Sequence, residues 1–183
     1  MSINIRRRNI IAASVAAMLP LHVQGNPGLD TPIGRIRWQL NTGGVMTLAE
    51  LMGKPLVLTM SYTACRRTCS TTMLALREMQ TLFEQKKRDV NFAIVTFDPE
   101  RDSAREWTNY RSTRGLTQPN WHFLTGTPQD TRRIARFLDV DYWRYGQHVM
   151  HDFRISLFDV KGQWHKDIVW DRPRDLNAFL ADV

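Results

Sequence analysis

The chain has 183 residues, 43% hydrophobic and 23% charged, which fits one domain with a complete core and excludes bulk disorder and a polytopic membrane protein. Two cysteines exclude a disulfide-rich scaffold and a four-thiolate zinc or iron–sulfur site. The formal charge is +7; without the three arginines at positions 6–8, 22 basic residues face 18 acidic ones, an excess too small to indicate nucleic-acid binding.

Residues 1–25 have the pattern of an export signal. A basic run, Arg6-Arg7-Arg8, precedes the apolar stretch Ile10–Leu19, and Val23-Gln24-Gly25 offers a small-residue cleavage site. The apolar stretch is about half of the roughly 20 residues that a membrane span needs. We therefore expect a periplasmic or otherwise exported protein, with an uncleaved N-terminal tether as the alternative and the only expected membrane contact.

The next segment, residues 26–32, is a predicted linker with Gly and Pro, and the predicted domain covers residues 33–183. Nearly continuous apolar runs, typical of strands buried on both faces, occur at 55–60 and 90–97. Further strands are predicted at 36–40 and 123–124, and as a hairpin of 153–159 with 164–170.

Helical spacing of apolar residues alternates with these strands. It predicts a short turn at 48–51 and helices at 71–83, 103–110, 134–138 and 176–180. The second of these helices starts with a capping residue, Ser103. Strands alternating with helices indicate an α/β protein with a mixed central sheet flanked by helices on both faces and an added hairpin. This order is that of a thioredoxin-like layout.

Cys65 and Cys69 lie where a buried strand ends and a helix begins. Sites in open α/β sheets collect at the carboxyl ends of strands, and a helix N-terminus favours a thiolate over a thiol. Arg66 and Arg67 add two positive charges between the cysteines. We therefore expect at least one of the two thiols to have a pKa below the ordinary value of about 8.5.

A structural disulfide is the simplest alternative for this pair. Closing a five-residue loop stabilises by only ~2 kcal/mol, against roughly 3 kcal/mol for fifteen residues, so redox or metal chemistry is the better explanation. Soft thiolates select Cu(I), with zinc and iron–sulfur clusters competing for them. One imidazole would complete a two-sulfur, one-nitrogen Cu(I) site, whose net charge of −1 Arg66 and Arg67 could neutralise.

Four histidines follow the predicted leader. His148 and His151 just precede the strand predicted from position 153, and composition does not choose between them. For His122 and His165 we expect a surface position or a satisfied place in the core.

The segment around these two histidines also holds a thioether and three aromatic rings. Met150 is a soft ligand type, but we expect it to pack in the core. For Tyr142, Trp143 and Tyr145 we expect packing beneath the His148–His151 loop rather than a docking patch.

Four segments in order resemble the Sco/SenC family. Residues 62–69, Tyr-Thr-Ala-Cys-Arg-Arg-Thr-Cys, resemble its Y/F-T-x-C-x-x-x-C signature. The segment Asp98–Ser103, followed by Tyr110, resembles its D-P-x-R-D-[TS] element, and Leu124-Thr125-Gly126 matches its L-T-G element. His151 stands eleven residues before Gly162, as the family's metal-binding histidine stands before a hairpin glycine.

The resemblance implies a thioredoxin-like fold and one copper ion, with Cu(I) expected and Cu(II) as the alternative. Carried over by position, the ligands would be the Cys65 and Cys69 thiolates and the His151 imidazole. His148 would then be a neighbour of the site or a surface residue, and Asp98 would orient His151 or contact a partner.

The loop between the cysteines departs from the family pattern. Arg66 and Ser70 stand where prolines are usual, and Arg67 makes the loop more cationic, which favours thiolates and disfavours dications. We expect Asp102, next to Ser103, to help cap the following helix.

The function that the resemblance implies is a metallochaperone, not an enzyme, that delivers copper to a respiratory copper enzyme such as the CuA centre of cytochrome c oxidase. Its expected partners are that enzyme's subunit and a thioredoxin-like reductant. The alternative is a thiol-disulfide oxidoreductase in which Cys65 and Cys69 form the redox-active pair. A thiol peroxidase is a weaker third option, because Tyr62 stands where an activating threonine is needed.

Overall fold

The computed structural model describes residues 28–65 and 68–169 together with Leu176 and Leu180, and the side chains of residues 68–70 are outside this description. The predicted export signal, most of the predicted closing helix, Arg66 and Arg67 therefore lie outside the described residues. No helix in the described ranges is both long and apolar enough to span a membrane.

Within the described residues, nine strands and three α-helices follow one another along the chain. The strands are β1 (Trp38–Leu40), β2 (Val45–Met46), β3 (Leu56–Ser61), β4 (Asn91–Thr96), β5 (Trp121–Thr125), β6 (Tyr142–Tyr145), β7 (His148–His151), β8 (Arg154–Phe158) and β9 (Trp164–Val169). The helices are α1 (Thr68–Gln85), α2 (Ala104–Arg114) and α3 (Pro128–Phe137), and a 3-10 turn covers Leu48–Leu51.

Seven strands form one mixed sheet in the order β2-β1-β5-β4-β3-β8-β9. β3 and β4 pair in parallel, as do β4 and β5, whereas the other neighbours are antiparallel. The central position of β3 explains its continuous apolar run, since all six of its residues are buried. The predicted mixed sheet is confirmed, and so is the added hairpin, which is β8–β9.

The side chains of the central strands alternate between two cores. On β3, Val57 packs with residues of α1 and α2, whereas Leu56 and Leu58 pack in the cluster that contains Ile134 of α3. Because successive residues of a strand point to opposite faces, these two clusters lie on opposite sides of the sheet. Helices on both faces, as predicted, therefore bury the two faces.

Two features differ from the sequence-based expectations. Helix α1 begins at Thr68 rather than near position 71, so the backbone of Cys69 lies in its first turn. In addition, β6 and β7 form a separate two-stranded antiparallel ribbon where a loop was expected. The missed signal is two short segments rich in aromatic residues separated by Gly146-Gln147, the spacing of a tight hairpin.

Candidate metal centre

The segment that leads to Cys65 leaves the end of β3 and is tied down at Thr63. The Thr63 N–H donates to Asp102 Oδ1 over 3.1 Å, and the Thr63 hydroxyl donates to the same oxygen over 2.5 Å. The N–H of Cys65 donates to the Tyr62 carbonyl oxygen over 3.3 Å, and the Cys65 side chain is buried. Cys65 is therefore held in a constrained turn at the carboxyl end of a central strand.

Asp102 is the anchor of this turn. Its Oδ2 accepts a hydrogen bond from the Thr96 hydroxyl at the end of β4, over 2.5 Å. Burial raises the pKa of Asp102, although the hydrogen bonds from Thr63 and Thr96 oppose this effect. The expectation that Asp102 helps cap α2 is wrong, because the cap is Ser103, which accepts from the Glu106 N–H.

His151, the last residue of β7, has its ring fixed by three neighbours. Its Nδ1 lies 2.8 Å from the Asp152 carbonyl oxygen. Because a carbonyl oxygen only accepts, this hydrogen bond requires the proton on Nδ1 and leaves the Nε2 lone pair for another partner. The Phe97 ring stacks on the imidazole at 4.4 Å between centroids, and the Tyr62 ring meets it edge-on at 6.1 Å.

Tyr62 connects the cysteine turn to the histidine strand. Its ring contacts His151, and its hydroxyl oxygen accepts the Val149 N–H over 3.3 Å. Tyr62 is buried and lies three residues before Cys65, so the start of the cysteine turn packs directly against β7. The structure thus brings the segment of the first predicted ligand to the strand of the predicted imidazole.

Asp98, just after β4, is buried and holds the ribbon through arginines. Its Oδ1 accepts a hydrogen bond from Arg144 Nη2 of β6 over 2.8 Å, and Arg101 Nε lies 3.9 Å from its Oδ2. Arg101 Nη1 also donates to the Gln147 carbonyl oxygen in the ribbon turn over 3.4 Å. Asp98 therefore fixes β6, the partner strand of β7, whereas the His151 ring donates its Nδ1 hydrogen bond to the backbone carbonyl oxygen of Asp152.

The two faces of the ribbon differ in burial. Val149 and His151 point inward, whereas His148 and Met150 are exposed, as expected when alternate residues of a strand point to opposite faces. His148 thus lies at the surface, on the face opposite to His151. The expectation of core packing is wrong for Met150.

The aromatic residues of β6 divide in the same way. Tyr142 packs inward against Phe97 at 5.3 Å between centroids. Trp143 and Tyr145 are exposed, so the expectation that they pack beneath the His148–His151 segment is wrong for these two.

The other two histidines are in different parts of the sheet. His122 lies on β5, in register with Ala93 of β4, and burial together with the nearby positive charge of Arg111 lowers its pKa. His165 lies on β9, where its Nε2 is buried and has no hydrogen-bond partner in the described part of the chain.

Not all of the predicted ligand set can be placed. Within the described ranges, no three His, Cys, Asp or Glu side chains form a group suited to a metal ion. The side chain of Cys69, together with Arg66 and Arg67, lies outside the described residues. The placed components are therefore Cys65 and His151.

The sequence profile of the SCO1/SenC family matches residues 34–177. The chain belongs to this family. Among its curated relatives, the SCO1 protein homolog of Bacillus subtilis is 25% identical over 159 residues, which cover 85% of this chain and 82% of the relative. The SCO2-like protein of Rickettsia felis is 23% identical over 146 residues, covering 75% of this chain and 70% of the relative.

Solved structures of SCO1/SenC proteins share the fold. Arabidopsis thaliana ScoI with copper bound has a TM-score of 0.67 at 23% identity, covering 75% of this chain and 87% of the other. Yeast Sco1 with copper bound has a TM-score of 0.68 at 20% identity, with coverages of 80% and 85%. These similarities confirm the predicted thioredoxin-like fold.

Proposed function

We propose that this SCO1/SenC protein is an exported metallochaperone that binds one copper ion through Cys65, Cys69 and His151. It delivers the ion to a respiratory copper enzyme such as the CuA centre of cytochrome c oxidase. Family membership supports this function, together with the copper-bound structures of the Arabidopsis and yeast relatives. BsSco, a further structural neighbour, is described as a member of a family of cytochrome c oxidase assembly proteins.

The observation that carries the proposal is the state of the His151 ring. The Asp152 carbonyl oxygen holds the proton on Nδ1, and Phe97 fixes the ring plane. Metal-binding histidines characteristically donate one ring N–H to such an acceptor, which sets the tautomer and strengthens the other nitrogen as a ligand. Tyr62 contacts this ring and precedes Cys65 by three residues, so a thiolate and the free nitrogen belong to neighbouring segments.

Copper is the cargo of the proposed reaction. Thiolates and an imidazole suit Cu(I), and the ion leaves by ligand exchange, as donors of the recipient replace Cys65, Cys69 and His151 one at a time. Each new bond to copper forms as an old one breaks, and the oxidation state does not change. In an oxidising compartment the two cysteines must first be reduced, and a thioredoxin-like dithiol partner supplies those electrons by disulfide exchange.

The decisive experiment compares His151→Ala with His165→Ala as a matched histidine control on β9. The reduced protein is loaded with Cu(I) anaerobically and then challenged with a Cu(I) chelator that removes weakly held metal. We expect the wild type and His165→Ala to retain one equivalent, and His151→Ala to bind at least about tenfold more weakly. Equal retention by both variants would contradict the ligand role of His151.

Dithiol exchange is the alternative function, and one finding favours it: the structure of BsSco identified a disulfide switch in that relative. In this case Cys65 and Cys69 would exchange with a target disulfide through a mixed disulfide. Exchange activity that is unchanged in His151→Ala, together with negligible copper retention by the wild type, would establish this function in place of copper delivery.

A further inference from the structure

The outer face of the β6–β7 ribbon, formed by Trp143, Tyr145, His148 and Met150, is exposed. Trp143 is 56%, Tyr145 72% and Met150 45% accessible to solvent. None of the four side chains has a hydrogen bond, ion pair or ring partner in the part of the chain that the structure describes. Adjacent exposed aromatic and thioether side chains of this kind are a candidate surface for binding a ligand.

The strand register places the Met150 thioether, the His148 imidazole and the Trp143 indole next to one another. His148 and Met150 are two residues apart on β7 and therefore share a face. Trp143 is the direct cross-strand partner of Met150, and Tyr145 is that of His148. Side chains of directly paired residues start from Cβ atoms only about 4.5–5.5 Å apart, so the thioether, the imidazole and the indole can reach a common point above the ribbon.

We infer that this face is a second, surface site for a soft monovalent metal ion, Cu(I). The Met150 thioether and a His148 ring nitrogen would be the ligands, and the Trp143 ring would cover the ion with its electron-rich face. Thioether and imidazole ligands are neutral, so the bound ion keeps its positive charge, which is the condition for attraction by an aromatic ring.

The surface site lies next to the proposed metal centre but shares no ligand with it. Met150 is adjacent to His151, whose side chain points to the opposite face of the ribbon. The inference goes beyond the proposed function, because it involves neither cysteine. Two neutral ligands on an exposed surface bind Cu(I) more weakly than a ligand set that contains thiolates, which suits a site that accepts copper and releases it.

The test uses Cys65→Ser/Cys69→Ser, which removes both thiols, and Ag(I) as a redox-inert probe for Cu(I). We expect one equivalent to bind, to shift the NMR signal of the Met150 methyl group, and to quench a component of tryptophan fluorescence that is missing in Trp143→Phe. Adding Met150→Leu or His148→Ala should weaken binding at least about tenfold, whereas adding His165→Ala on β9 should not.

Met52→Leu is the matched control, since Met52 is also exposed but lies beside the 3-10 turn, outside the ribbon. Equal loss in Met52→Leu and Met150→Leu would overturn the inference, as would an unchanged Met150 methyl signal. The inference would also be overturned if Zn²⁺ bound as tightly as Ag(I) and Met150→Leu left the Zn²⁺ affinity unchanged. That result would indicate a site made by histidine, without a thioether ligand. If the double cysteine variant does not fold, the Met150 methyl signal and the tryptophan fluorescence are measured in the wild type as a second equivalent of Ag(I) is added.

Discussion

Single side chains in this protein connect segments that are far apart in the sequence. Asp102 is separated by 39 positions from Thr63, yet its carboxylate accepts hydrogen bonds from both the backbone and the hydroxyl of that residue. It also accepts from Thr96, so one buried carboxylate joins the turn before Cys65 to the end of β4. Asp102 thus positions the segment that the proposed metal centre needs.

The burial of Asp102 makes its effect on stability depend on pH. Its pKa is raised above 3.8 in the folded protein, so the folded protein keeps the proton where the unfolded chain has lost it. The free energy of unfolding of the wild type, relative to Asp102→Asn, should therefore fall as pH rises through the range above 3.8. Urea unfolding of both proteins from pH 3 to 7 measures this difference.

The control for this titration is Asp89→Asn, which removes an exposed carboxylate paired with Lys54. The pH dependence of the difference in free energy of unfolding between Asp89→Asn and the wild type shows the effect of removing an exposed carboxylate. The pH dependence measured for Asp102→Asn is compared with it. A wild type that gains stability over Asp102→Asn as pH rises would show that the hydrogen bonds to the carboxylate outweigh its burial.

At the scale of elements, the β6–β7 ribbon is separate from the main sheet and is held by contacts at several points. Asp98 binds Arg144 on β6, Tyr62 binds the backbone of β7, and the Asp152 N–H donates to the Asp141 carbonyl oxygen at the base of the ribbon. A two-stranded ribbon is marginally stable by itself, so these contacts determine where His151 lies.

The Asp98–Arg144 pair gives a prediction about this ribbon. Among the described residues, Arg144→Ala leaves the buried Asp98 carboxylate with Arg101 as its one remaining ion-pair partner, at 3.9 Å, so the ribbon should open more often. We expect faster amide exchange in β6 and β7 and unchanged exchange in β3 and β4, together with weaker copper retention if the proposed function holds. Hydrogen exchange with mass spectrometry measures the first effect without any metal.

Arg105→Ala is the matched control, because Arg105 is exposed and pairs only with its neighbour Glu106 within the described residues. Arg144→Lys, which keeps the charge, should recover part of the protection. Equal exchange rates in Arg144→Ala and Arg105→Ala would mean that the other contacts hold the ribbon without this ion pair.

At the scale of the whole molecule, packing across the sheet explains one of the sequence motifs. Gly126, the last residue of the Leu124-Thr125-Gly126 segment, follows β5 and lies against Trp38 of β1. A Cβ at position 126 would stand 2.5 Å from Cζ3 of the fully buried Trp38 ring. Glycine is needed here to let an indole fill the core between two strands.

Gly126→Ala should therefore destabilise the protein by about 1–3 kcal/mol, the usual cost of overpacking a core. Chemical denaturation of the wild type, Gly126→Ala, Trp38→Phe and the double variant gives the free energies of unfolding for a double-mutant cycle. Because Phe lacks the second ring of the indole, we expect the alanine to cost less in the Trp38→Phe background. An equal cost in both backgrounds would mean that the Trp38 ring is not the obstacle.

The sequence by itself determined the parts that depend on local pattern. Apolar runs predicted β3 and β4, helical spacing predicted α1, and the cysteine and histidine motifs indicated the family. These predictions hold because strand and helix periods record which side of an element is buried.

Only the tertiary structure decided which distant residues meet. The pairing of Asp98 with Arg144, the contact of Tyr62 with His151, and the position of Trp38 over Gly126 join segments that are far apart in the chain. A periodic pattern marks a residue as buried or exposed but does not name its partner, because the partner is set by how the elements pack. For the same reason, the outer face of the ribbon became visible only once β6 and β7 were paired.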